Sequence, residues 1–259
     1  MRTISKTLRF SGIGLHSGEI IHVTLSPSLR GISFNNIKVN PETVIGSNLC
    51  TKIQTEDTQI STIEHLMCTL FILGIDSLNI TLDGDEIPIL DGSAWEFYNL
   101  LKDSVEEISE SKVLEVPYVE VQEEDKFIRV NSSKEFKVKL KIDFNGLIQE
   151  FTYPNSLDFL KARTFCYLRD IEYMQTHNLA LGGSLHNAIV LDSDNRVINP
   201  EGFRLENELA KHKMIDFLGD LYTIQVPLRG EFECYKPGHQ LNNRFVKELS
   251  KSLRLLKSF

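Results

Sequence analysis

The sequence predicts an α+β protein made of two units with the same order of parts, and three features carry that reading. Apolar and polar residues alternate at period two in both halves, each half then changes to helical periodicity, and an acidic, serine-rich stretch divides them. In the first half, IIHVTLSPS (20–28) and GISFNN (31–36) read as strands. A helix follows from Ser61 through STIEHLMCTLFILG, with Gly74 as its stop. The strand SLNITL (77–82) and a helix capped by Ser93 complete the unit. The divider is DSVEEISESKVLE (103–115), which has no long apolar run and is followed by Pro117, as expected of a linker. Beyond it YVEVQ, KFIRVNSS and FKVKLKIDF alternate again, ahead of a 169–175 segment, an AIVLDS strand and a helix over 206–220. The boundaries expected are 1–105 and 116–259.

Composition narrows the classes of function. A chain of 259 residues, 41% of them hydrophobic, can bury one large core or two modest ones. A net charge of −8 argues against nucleic acid as a partner, since phosphate backbones need a basic footprint. An anionic small molecule would have to meet a local cluster of Lys and Arg. No segment has the apolar length of a signal peptide or a membrane span, so a cytoplasmic protein is expected. Cys50, Cys68, Cys166 and Cys234 form no C-x-x-C pair, which points to buried free thiols and not to a disulfide or thiolate metal framework.

The richest stretch is ENELAKHKMIDFLGD (206–220). On a helix, His212, Asp216 and Asp220 recur at i, i+4 and share one face. Ala210, Met214, Phe217, Leu218 and Leu221 form the core stripe opposite. An imidazole and a carboxylate one turn apart can serve as two ligands of a divalent metal, and a third must come from elsewhere. Glu64 and His65, adjacent on the Ser61 helix, are the best source. His65, His212 and Asp216 would leave a fourth position open, as in catalytic zinc sites, with Glu64 beside it. Spacing alone equally allows a solvated His/Asp face, and Ser61-x-x-Glu64 is also a capping box.

Seven stretches in order resemble one family: GIGLHSG (12–18), STIEHLMCTL (61–70), EIPILDGSA (86–94), ARTFCYLRDIEYMQ (162–175), LGGSLHNAIVLD (181–192), HKMIDFLGD (212–220) and KPGHQLNN (236–243). The family is the UDP-3-O-acyl-N-acetylglucosamine deacetylases, zinc amidases of lipid A biosynthesis. The resemblance implies two similarly folded domains, each a layered sheet-and-helix unit, with the active site between them. It further implies a zinc ion, which iron(II) could replace in the cell, a UDP-sugar substrate, a monomer and a Gram-negative source. His65, His212 and Asp216 match the metal ligands and Glu64 the general base. Thr164 matches the hydroxyl that assists the oxyanion, His239 the general acid and Asp220 the carboxylate that holds it.

For substrate, the resemblance points to Lys213 and Lys236 at the diphosphate. Phe165, Leu168, Ile171, Ala180, Leu185, Ala188 and Val190 would line an acyl passage in an insert of the second domain, and Asp143 and Phe144 would lie near the nucleotide. The sequence after Asn145 is shorter than in many members. His16 is expected near the site with no assigned role, and His22, His177 and His186 show no pattern. Two other classes stay open. An iron(II) oxygenase uses the same two-histidine, one-carboxylate set, yet the chain lacks a close His-x-Asp pair and Glu64 and His239 would have no task. A catalytically idle sugar- or lipid-binding relative would be expected to lose Glu64 or His239 first.

Overall fold

The structure is a computed structural model that describes residues 1–47, 49–177 and 179–257. Among them five α-helices are formed: α1 (Glu64–Leu73), α2 (Trp95–Leu101), α3 (Leu168–Thr176), α4 (Glu208–Tyr222) and α5 (His239–Lys257). No helix among the described residues is long and apolar enough to cross a membrane.

The halves are built on one topology. The first holds a sheet ordered Leu8–Ile13, Ile20–Pro27, Leu78–Leu82, Ile32–Phe34, Ile37–Lys38. The second runs Val119–Glu123, Lys126–Asn131, Leu228–Tyr235, Phe136–Phe144, Leu147–Tyr153, with Leu114–Glu115 also paired to the central strand. In each sheet the strand latest in sequence lies in the middle, antiparallel to one hairpin and parallel to the other. A parallel neighbour requires a crossover, and the two crossovers carry α1 and α4. After the central strand, α2 and α5 close the two units in corresponding places.

Alternation places the cores. Val138, Leu140 and Ile142 point inward while Lys139 and Lys141 are exposed, and Ile21, Val23 and Leu25 do the same in the first half. Leu66, Met67 and Leu70 of α1 pack with Phe97 and Leu101 of α2 over the first sheet. Met214, Phe217 and Leu218 of α4 pack with Leu241, Phe245 and Leu249 of α5 over the second. The cores interlock through α1 and α4, because Cys68 of α1 belongs to the second cluster and Tyr222 of α4 to the first.

Several expectations are revised. The first helix starts at Glu64, not Ser61. Ser61 forms a bridge to Glu86, and no side chain caps Ile63, so the capping box is not made. The Glu64 carboxylate instead accepts from the Thr51 amide at 3.0 Å. The acidic divider is partly structured, since Val105–Glu107 pairs with Arg2–Ile4 and Leu114–Glu115 joins the second sheet. His239 opens a 19-residue helix absent from the expected elements, although Leu241, Phe245, Leu249 and Leu253 recur there at helical spacing. Phe165–Tyr167 lies parallel to Ile189–Leu191 in a small sheet of its own, with α3 between them in sequence, and Tyr167, Ile189 and Leu191 pack into the second core.

Candidate active site

Both crossover helices carry polar side chains to the line where the halves meet. Glu64 and His65 occupy the first turn of α1, and His212, Asp216 and Asp220 occupy one face of α4. All are buried, as is His239 at the start of α5, so the α4 polar face is not solvated. Burying this many ionisable groups is costly unless each is paired, so the geometry has to be accounted for atom by atom.

Asp216 is the hub. Its Oδ2 lies 3.3 Å from His212 Nε2 and accepts a hydrogen bond from Lys213 Nζ at 2.8 Å. Its Oδ1 lies 3.5 Å from His65 Nε2 and has no hydrogen-bond partner among the described residues. Donor atoms of His65, His212 and Asp216 come within 4.8 Å of one another. A buried carboxylate facing two imidazole nitrogens, one of its oxygens orphaned, is what a cation would satisfy, so this donor set fits a divalent metal. Charge state agrees. Burial drives the pKa of His212 down to about 4 despite the opposing pull of Asp216, leaving the neutral imidazole that ligation needs. Burial also works against charge on Asp216, but His212, Lys213 and His239 outweigh it and hold the carboxyl well below its ordinary range.

A second trio, Glu64, Asp216 and His239, also brings donor atoms within 4.8 Å. It suits a proton donor and acceptor better than a metal. Burial opposes the charged form of His239, yet Asp220, Asp216 and Glu64 together raise its pKa to about 9, so the ring is cationic at neutral pH. Its Nδ1 lies 2.9 Å from Asp220 Oδ2, and its Nε2 lies 3.9 Å from Glu64 Oε1. The Glu64 pKa is raised by burial, partly countered by His239 and His65. Sequence reasoning missed two groups here. Thr51 and Asn242 both donate to Asp220, Asn242 Nδ2 to Oδ2 at 2.8 Å. Asn242 sits three residues after His239 on α5, a spacing that could have been noticed once the helix was known.

Next to the polar centre opens an apolar cavity of about 260 Å³. Thr164, Phe165, Ile171, Ala180, Leu185, Ala188 and Val190 line it, together with Leu15, Cys166 and Met174, which the sequence did not single out. Leu168 does not belong. As the first residue of α3 it is 53% exposed and is not among the residues of this wall, whereas Ile171, one turn further along, lines it. His16 also lines the cavity, its loop held by backbone bonds from His16 and Ser17 to the Glu86 carboxylate. Burial lowers its pKa against the pull of Glu86. His22, His177 and His186 lie on the surface.

Thr164 is fixed by its backbone, donating to Gly92 O and accepting from Ile189 N at 2.8 Å each. Its neighbour Arg163 is completely buried and joins Glu208, at the start of α4, and Glu201. This unanticipated ion cluster ties the segment of Thr164 to the helix of His212. Phe144 meets Phe165 edge to face at 4.9 Å, and Lys213 lies 5.4 Å over the Phe165 ring. Lys236 is paired with Asp125 at 2.7 Å and Asp143 at 3.5 Å, so both Lys236 and Asp143 have partners already.

Comparison with known proteins gives one family. Residues 1–251 match the family model described as UDP-3-O-acyl N-acetylglycosamine deacetylase. The chain is similar to the UDP-3-O-acyl-N-acetylglucosamine deacetylase of Shewanella sp. (strain ANA-3), 40% identical over 96% of this chain and 89% of that protein. The enzyme of the same name from Campylobacter fetus subsp. fetus (strain 82-40) is 39% identical over 95% and 90%. That of Thioalkalivibrio sulfidiphilus (strain HL-EbGR7) is 40% identical over 96% and 89%.

Proposed function

Because the chain belongs to the UDP-3-O-acyl N-acetylglycosamine deacetylase family, we propose that it removes acetate from UDP-3-O-acyl-N-acetylglucosamine, the committed step of lipid A biosynthesis. The observation that carries this reading is the convergence of His65, His212 and Asp216 beside a Glu64–His239 pair and an apolar cavity. We assign the metal to those three ligands, and zinc is the ion best suited to the set, with iron(II) able to use the same donors. When bound there, the ion would lower the pKa of water to about 7 and polarise the amide carbonyl.

The chain's own groups do the rest. Glu64, ionised and held by the Thr51 amide, takes the proton of the attacking water. The Thr164 hydroxyl, on a backbone fixed from both sides, is offered to the oxygen on which charge develops. His239 delivers a proton to the departing amine, and Asp220 stabilises the cationic ring that does so. Phe165, Ile171, Ala180, Leu185, Ala188 and Val190 receive the acyl chain. Lys213 is the cation nearest the centre for the diphosphate. Lys236, Asp143 and Phe144 border the nucleotide side, where Lys236 would exchange a carboxylate partner for phosphate. We assign residues 1–105 and 116–259 as the two domains of a monomeric, cytoplasmic enzyme from a Gram-negative bacterium.

The test is acetate release from the acylated UDP-sugar by purified protein, with metal content measured on the same sample. Turnover proportional to bound metal supports the reading. A metal-loaded protein that releases no acetate rejects it.

A further inference from the structure

Thr51 reaches three of the site's ionisable groups from a single position. It is buried on the strand Thr51–Gln54, which precedes α1 and belongs to neither helix that carries the proposed ligands. Its amide donates to Glu64 Oε2 at 3.0 Å. Its hydroxyl donates to Asp220 Oδ1 and lies 3.2 Å from His239 Nδ1. The direction of these bonds matters. A hydroxyl has one proton, and once that proton is given to Asp220 only a lone pair can face His239. Nδ1 must then carry the ring proton, which it also donates to Asp220 Oδ2 at 2.9 Å. Asn242 is a third donor to that carboxylate, also on Oδ2. With Nδ1 committed to Asp220, Nε2 is left as the atom facing Glu64 and Asp216, at 3.9 and 3.7 Å.

We infer that Thr51 is a positioning residue for the deacetylation reaction: its hydroxyl fixes Asp220, and through Asp220 it orients the His239 ring so that Nε2 faces the reacting centre. This inference rests on the function proposed above. Thr51 touches no substrate in this role. It belongs to the first half of the chain while Asp220 and His239 belong to the second, so it also registers the two halves at the point where proton transfer occurs.

Thr51→Val keeps the shape of the side chain and removes only the hydroxyl. In the metal-loaded enzyme acting on the acylated UDP-sugar, kcat should fall by about 10- to 100-fold, the effect of losing a hydrogen bond to a charged group. KM, metal content and melting temperature should stay near wild type. Thr51→Ser should recover most of the rate. In an Asp220→Asn background the valine change should add little, because two residues acting through one carboxylate are not independent. Should valine prevent folding, Thr51→Ala removes the hydroxyl by truncation and reads the same quantity. A normal kcat in Thr51→Val, a loss that multiplies fully with Asp220→Asn, or no recovery in Thr51→Ser overturns the inference while leaving the deacetylase reading intact. Absence of acetate release from metal-loaded wild type instead overturns that reading and the inference with it.

Discussion

Gly219 of α4 lies directly against Glu64 of α1: a β-carbon at Gly219 would stand 2.1 Å from the Glu64 carbonyl oxygen. That contact sets how closely the two helices can approach, and so whether His65 can reach Asp216. Alanine has the better helix propensity, by about 1 kcal/mol, so intrinsic preference alone would favour the substitution. The backbone oxygen cannot move as a flexible side chain could. Gly219→Ala should therefore lower stability by about 1–3 kcal/mol in urea denaturation and weaken metal affinity as well. A stabilised variant with unchanged affinity would show that the helices have slack.

The proposed ligands come from different helices, each anchored in its own core, so removing one should leave the fold standing. His65→Ala and His212→Ala should each sharply weaken binding of one metal while circular dichroism and melting stay near wild type. Calorimetric titration of the apo protein reads the affinity. Near-stoichiometric metal at unaltered affinity would remove that residue from the ligand set. A chelator should abolish turnover, and added metal should restore it.

A bell-shaped dependence of kcat/KM on pH is expected from Glu64 and His239. Glu64 must be ionised to act as base, and burial raises its pKa, so activity should fall as pH drops through that raised value. His239 must be protonated to act as acid. Its pKa is raised to about 9, so activity should fall as pH rises through that region. Glu64→Ala should remove the acid limb and His239→Ala the basic one, each at a cost of about 100- to 10,000-fold with metal retained. Near-normal rates in both metal-loaded variants would reject this pairing. Water on the metal also titrates near neutrality, so the variants, and not the midpoints, assign the limbs.

In the proposed reaction the acyl chain is not part of the bond that breaks and contributes only by binding and orientation. Each buried methylene is worth about 0.8 kcal/mol, so the UDP-sugar without its acyl group should be a far poorer substrate. Ala188 lines the cavity and is almost fully buried, so Ala188→Leu should shift preference toward shorter chains. Equal kcat/KM for acylated and deacylated substrates, or an unchanged preference in Ala188→Leu, would reject the passage.

Most of the architecture was legible because period-two alternation and helix-period stripes are local signals. FKVKLKIDF has its Val138, Leu140, Ile142 face buried as the pattern requires, and Gly74 ends α1 in a left-handed conformation at φ 66°. Local signals failed where a partner distant in sequence decided the outcome. Ser61 looks like a cap, but its backbone bonds with Asp85 and Ile87 carry it into a bridge opposite Glu86, and the Thr51 amide takes Glu64. Leu168 follows the passage motif, yet at the start of α3 it is exposed and stands outside the cavity lining.

The α+β class, the repeated order of parts and the polar residues that share each helix face could be read from the chain alone. Helical spacing puts His212, Asp216 and Asp220 on one face, and seven ordered motifs mark one family. How those faces meet depends on contacts far apart in sequence. The repeated crossover topology brings α1 and α4 together, Gly219 lets them touch, and burial then makes His212 neutral while Asp220 and its neighbours make His239 cationic. Thr51 and Asn242 show the same division. Each is an unremarkable residue in its own segment and acquires a role through Asp220, far away in sequence, because a buried carboxylate must find its donors wherever the fold supplies them.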